Sequence, residues 1–201
     1  MEPALDHLVW AVPDLSTGVA DFAEQTGVQP VAGGRHVERG TANYLVSLGR
    51  RSYLEILGPD PEADRPPQWF GLATLARPTL VAWAVRSNDL DASVAAARAH
   101  GYDPGQPESM SRETATTRVS WRLTPAAGII PFLIDWGSSS HPTEARLPQL
   151  SLIELQILAR EPAQVDAALG ALGVRVAVTA STHDHLLARL GTPRGPVQLI
   201  G

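Results

Sequence analysis

The chain has 201 residues, no cysteine, a net charge of −5, and 44 % hydrophobic against 18 % charged residues, values close to those of ordinary globular domains and enough chain to bury a core. The missing cysteines exclude disulfides, thiolate nucleophiles and Cys-ligated metal centres, so any metal would rest on His, Asp, Glu, Gln or water. Arginine is the only strongly basic side chain and is scattered, which argues against a nucleic-acid partner; no apolar run approaches the roughly 20 residues of a bilayer span, and the N-terminus has no signal-peptide pattern, so a cytoplasmic location is the default expectation.

Along the chain one grammar recurs three times. Each unit opens on an apolar strand: Leu5-Asp6-His7-Leu8-Val9-Trp10-Ala11-Val12, then Thr79-Leu80-Val81-Ala82-Trp83-Ala84-Val85, then Leu150-Ser151-Leu152-Ile153-Glu154-Leu155-Gln156-Ile157-Leu158. Each continues into an amphipathic helix, with N-terminal signals at Asp14, Asn88-Asp89 and Glu161-Pro162 and terminating glycines at Gly27, Gly101 and Gly173. Those glycines lie 74 and 72 residues apart, a nearly constant period. Leu15, Val19, Phe22 and Thr26, then Leu90, Val94 and Ala97, then Val165, Leu169 and Leu172 recur at helical spacing and predict the faces that pack on a sheet.

After each glycine come shorter β-like runs, closing on Tyr53 to Gly58, Phe132 to Gly137 and Val197 to Gly201. Pro59 to Pro78 and Ser138 to Gln149 read as linkers. The pattern predicts an α+β fold of repeated βαβββ units whose curved mixed sheets surround a cup, with the helices outside. The units at 5–58 and 79–137 form one paired domain, and 150–201 is a third, shorter unit packed on it. The cup is the expected site of a small-molecule ligand.

Strand alternation puts His7 in phase with Leu5, Val9 and Ala11, and Glu55 in phase with Tyr53 and Leu57, leaving Trp10 to face the helix. Tyr53, Phe132 and Trp136 share the inward phase of the closing strands and would line the pocket. Matching Leu48 to Leu123 sets Asn43 and Ser47 opposite Arg118 and Arg122 on inner faces, where guanidinium groups would hold a carboxylate or phosphate; ion pairing with Glu113 or a solvated edge is the alternative. His183 and His185 form an H-x-H pair in a polar turn, and His100 ends a helix; both read as structural.

Leu5-Asp6-His7-Leu8-Val9 and Tyr53-Leu54-Glu55-Ile56 resemble the first and fourth strands of a vicinal-oxygen-chelate module. Gly33-Gly34-Arg35-His36 with Gly40-Thr41-Ala42-Asn43 resembles the glyoxalase-like family within that superfamily. The resemblance is clearest over 5–58 and weak beyond 150. It implies that His7 and Glu55 are ligands of one divalent ion, such as Zn, Ni, Mn or Fe, which would polarise a substrate carbonyl or hold an enolate. Matching Trp10 to Trp83 and Gly58 to Gly137 places Leu80 and Ile134 at the corresponding positions of the second unit, so His36 or the third unit would have to complete the metal site. The function implied is a metal-assisted lyase or isomerase acting on a small oxygenated substrate. The alternatives are a metal-free binding or drug-sequestering protein and an extradiol dioxygenase, and a homodimer is open.

Overall fold

The structure, a computed structural model, describes residues 4–49, 51–114, 117–126 and 128–201. The first unit runs β1 (Leu5–Ala11), α1 (Leu15–Thr26), β2 (Val31–His36), β3 (Thr41–Gly49) and β4 (Ser52–Pro59). The second runs β5 (Thr79–Arg86), α2 (Leu90–Ala99), β6 (Glu108–Glu113), β7 (Arg118–Leu123) and β8 (Phe132–Asp135). The third runs β9 (Ser151–Ala159), α3 (Pro162–Ala171), β10 (Ala177–Ala180), β11 (His185–Thr192) and β12 (Gly195–Ile200).

The helices begin and end where local chemistry sets them. Asp14 accepts from the Thr17 amide at 2.8 Å and Asp89 from the Ala92 amide at 3.0 Å, while Pro162 occupies the first turn of α3. Gly27, Gly101 and Gly173 follow the helices with φ of 74°, 87° and 70°, a conformation that costs other residues a steric clash. Val19, Phe22, Val94, Leu169 and Leu172 are all buried, as their spacing predicts.

The first two units close into one eight-stranded barrel in the order β1-β4-β3-β2-β6-β7-β8-β5. Each contributes a curved sheet whose first strand pairs in parallel with its last, β1 with β4 and β5 with β8. The sheets meet along β1–β5 and, at Arg35–Glu113, along β2–β6. Alternation then sorts side chains into two cores. Val9, Leu45, Tyr53, Leu57, Ala84, Trp121, Phe132 and Ile134 point into the barrel, whereas Leu8, Leu54, Ile56, Leu80, Trp83 and Val85 point out under the helices and the third unit. Trp83 lies in the outer core, and its indole donates to the Ile129 carbonyl at 2.9 Å.

The third unit shares the element order of the others but not their pairing. Its sheet runs β10-β9-β11-β12, so its first strand lies inside the sheet, parallel to β10 and antiparallel to β11. Strands β1 and β5 gain a neighbour from each other's unit; β9 has no twin and takes both neighbours from its own. Leu186, Leu190 and Leu199 join the outer core with Leu80 and Trp83, so this unit covers the barrel rather than completing the cup. Among the described residues no helix is long and apolar enough to cross a membrane.

The segments read as linkers carry structure. Residues 138–149 contain a 3₁₀ turn, Pro142–Glu144, and are stitched to β3, with the Ser47 amide donating to the Pro148 carbonyl at 2.8 Å. Between β4 and β5, buried Asp60 accepts from Arg35 at 2.7 Å, and Trp69 and Phe70 stack with ring centroids 4.7 Å apart.

Candidate functional site

The cup inside the barrel is walled by His7, Tyr53, Glu55, Arg112, Trp121, Leu123, Phe132, Ile134 and Trp136, with Trp69 and Phe70 across one mouth. It is tight: the space open to the centre of a water molecule is about 10 Å³, room for roughly one water. Wider pockets flank it. One of about 550 Å³ lies beyond Trp69 and Phe70, and one of about 640 Å³ lies beyond Arg112 and His141.

At the centre stands Asp6, which is fully buried although it adjoins His7 on β1. A register shift between Leu5 and His7 in the β1–β5 ladder lets consecutive side chains reach the same region instead of opposite faces. Asp6 accepts from Arg86 Nε at 3.0 Å, Trp136 Nε1 at 3.2 Å and His141 Nε2 at 3.1 Å. Its remaining partner is His7 Nδ1, at 2.8 Å. Burial alone would raise its pKa, but the hydrogen bonds it accepts from His141 and His7 outweigh that and hold the carboxyl well below the usual range. An ionised Asp6 only accepts, so His7 Nδ1 is the donating nitrogen and Nε2 is the one that faces the cup. The His7 ring is stacked on Tyr53 at 4.8 Å and met edge-on by Phe132 at 5.4 Å.

Glu55 projects from β4 toward the same space, its Oε2 3.7 Å from His7 Nε2. Asn43 Nδ2 donates to its Oε1 at 2.5 Å. Gly33 makes that contact accessible, because a Cβ there would overlap Asn43 Oδ1. His36 is buried between Trp69 and Trp121, at 5.7 and 5.9 Å between ring centroids, and bonds Thr41 Oγ1 through Nδ1 at 3.2 Å. Burial pushes its pKa down to about 4; Arg112 and His7 push the same way, against Glu55 and Asp60.

His7, Asn43, Tyr53, Glu55, Phe132 and Trp136 are therefore brought together, and Trp10 stays on the outer side. Arg118 and Arg122 are not. They occupy the outer face of β7, Arg118 on Ser111 Oγ at 2.7 Å and Arg122 forked onto Asp91 of α2 at 2.8 and 2.9 Å. The expected phase fails because Arg112 pairs with Val119, which turns Val119, Trp121 and Leu123 inward and the arginines out. Leu80 likewise lies in the outer core. The shared register of His7 with Tyr53 and of Ala84 with Phe132 makes Ala84 the counterpart of His7, while Ile134 keeps its place opposite Glu55. His183 is exposed and His185 half-buried, both remote from the cup.

Sequence reasoning missed Asp6, Arg112, Trp121 and His141. Asp6 carried a signal, a second polar residue in an apolar strand where alternation allows one. His141, in a supposed linker, carried none.

For a divalent ion the cup offers two donors, His7 Nε2 and Glu55 Oε2. Among the described residues no group of three or more His, Cys, Asp or Glu converges as a metal site.

No curated protein matches the sequence. Among solved structures, a hypothetical protein from Staphylococcus aureus superposes with a TM-score of 0.65 at 15% identity, covering 100% of this chain and 85% of its own. A variant of 4-hydroxymandelate synthase from Streptomyces coelicolor gives 0.52 at 12% identity; this chain, covered in full, spans 63% of it. A methylmalonyl-CoA epimerase from Streptomyces coelicolor gives 0.48 at 20% identity, over 69% of this chain and 100% of its own. The family described as the glyoxalase-like domain matches residues 5–173. With that match spanning both barrel units and the start of the third, the chain belongs to the glyoxalase-like domain family.

Proposed function

We propose that the protein binds one small oxygenated molecule in the wider pocket beyond Arg112, with only its reacting end reaching the cup, and transfers a proton on it, as an isomerase or lyase does, with His7 as the base. The observation that carries this reading is the Asp6–His7–Glu55 array: a buried carboxylate on Nδ1 and a second carboxylate 3.7 Å from Nε2. His7 Nε2 takes a proton from the carbon beside a carbonyl. Asp6 and Glu55 then flank the imidazolium and stabilise its charge, as the carboxylate of a catalytic triad does. The same Nε2 returns the proton to the enolate, at the carbon it left or at the oxygen, so the balance closes without a co-reactant. The oxygen that gains charge meets the Trp121 indole, whose Nε1 is buried without a partner among the described residues.

The residues do not fit a resident divalent ion. Catalytic zinc takes three protein ligands, whereas the cup presents His7 and Glu55, and the matching wall is Ala84 and Ile134. His36 turns its Nδ1 to Thr41. The proton path runs through side chains alone.

Deuterium exchange tests the reading: 2-hydroxy ketones, 2-oxo acids and 2-hydroxy acids are incubated in D₂O and followed by proton NMR. Exchange by wild type that is lost in His7→Ala and reduced in Glu55→Gln supports it. Exchange unaltered in His7→Ala, or none with any compound that binds, overturns it. Binding without exchange would favour the second reading, a sequestering protein, for which the aromatic wall of Tyr53, Phe132 and Trp136 speaks.

A further inference from the structure

We propose that the ligand of this cup is a monocarboxylate and that Arg112 is its anchor. This rests on the reading above that the ligand reaches the cup, but not on the proton transfer. Arg112 is 6% exposed, yet no carboxylate lies within 4.0 Å of it among the described residues, and its Nε has no hydrogen-bond partner. Other buried or half-buried arginine heads are paired: Arg86 with Asp6, Arg35 with Asp60 and Arg39 with Glu108. A guanidinium does not shed its proton, so Arg112 is a buried cation whose counter-charge the protein leaves out.

Its surroundings leave places for an anionic, oxygenated molecule. Among the described residues Trp121 Nε1 is a second buried donor without a partner, and Asn43 Oδ1 a buried acceptor without one. The Arg112 stem is pinned by close packing, since a Cβ on Gly34 would lie 3.3 Å from its Cδ and overlap the Glu113 carbonyl. Glu55, on the same cup wall, is held by Asn43 and forms no ion pair with Arg112.

A carboxylate suits the site better than a phosphate. One guanidinium matches one carboxylate through two parallel N–H bonds, and with Glu55 and Asp6 nearby a dianion would meet uncompensated repulsion. Arg112 also lines the outer pocket, whose wall near it carries Val31, Leu45, Val119, Pro142 and Leu147 and whose rim carries Ser140, His141, Glu144 and Arg146. A carboxylate held there places the adjacent oxygenated carbon toward His7 and an apolar chain toward that pocket. The substrate class is therefore a 2-oxo or 2-hydroxy monocarboxylate with a short aliphatic chain.

The test is calorimetric titration of the full chain with 2-oxobutyrate and 2-oxohexanoate, with the methyl ester of each and inorganic phosphate as the other arms. Wild type should bind a 2-oxo acid with one site per chain. Arg112→Met should weaken binding at least 30-fold and Arg112→Lys less, while Arg122→Met, on the outer face, should bind as wild type. Esters and phosphate should bind at least 30-fold more weakly than the acid. Melting temperature checks the fold: removing an unpaired buried charge should leave Arg112→Met as stable as wild type or more so. Binding is read directly, so the anchor is scored even if no proton exchange is found. Equal binding by Arg112→Met, esters as tight as acids, a preference for phosphate, or no binding of either acid by wild type would overturn the proposal.

Discussion

Replacing His36 by Phe should flatten the acid side of the stability profile. In the folded protein burial holds His36 neutral, with its pKa lowered from 6.5 to about 4. The unfolded chain regains the ordinary value, so between these limits the unfolded state binds more protons and stability rises with pH. The wild type should thus be fully stabilised above pH 6.5 and lose stability as pH falls toward 4. At about 1.36 kcal/mol per pH unit, the shift corresponds to a loss of about 2 kcal/mol at pH 5 and about 3 kcal/mol at pH 4, relative to pH 7.5. The phenyl ring of the His36→Phe variant would keep the edge-on contacts with Trp69 and Trp121 and lose only the bond to Thr41, a pH-independent offset. Urea unfolding of both proteins at pH 7.5, 6, 5 and 4 isolates the difference, since every other titrating group is common to them. Parallel curves would show that His36 is protonated in the folded state or open to water, and would refute the burial argument.

Asp6→Asn should cost about 3 to 5 kcal/mol in urea unfolding at pH 7, because Arg86 and the two histidines lose a buried charge partner; a loss below about 1 kcal/mol would mean the cluster is solvated. Arg122→Ala, which breaks only the exposed fork onto Asp91, should cost less than about 1 kcal/mol by the same assay, and a larger loss would show that β7 is packed otherwise.

Much of the fold was legible because its determinants are local. The caps at Asp14 and Asp89, the left-handed glycines after each helix and the buried stripe through Val19, Phe22 and Val94 depend on neighbours a few residues away. His7 and Glu55 were legible because strand alternation and the family resemblance agreed on their phase. Alternation failed where a ladder shifts. Asp6 reached the site through the irregularity in β1, and Arg112 entered while Arg118 and Arg122 left because the β6–β7 register is set by pairing across strands.

The sequence by itself determined the repeat, the helix ends, the inward phase of β1 and β4 and the absence of thiol chemistry, since each follows from covalent identity and short-range sterics. Only the tertiary structure decided that β9 sits inside its sheet, that the third unit covers the barrel, and that Asp6, His141 and Trp136 meet on one carboxylate from positions 135 and 130 residues apart. Such contacts depend on closing long loops against chain entropy, and the register that wins is the one burying the most apolar surface over the whole barrel, a quantity no short stretch of chain contains.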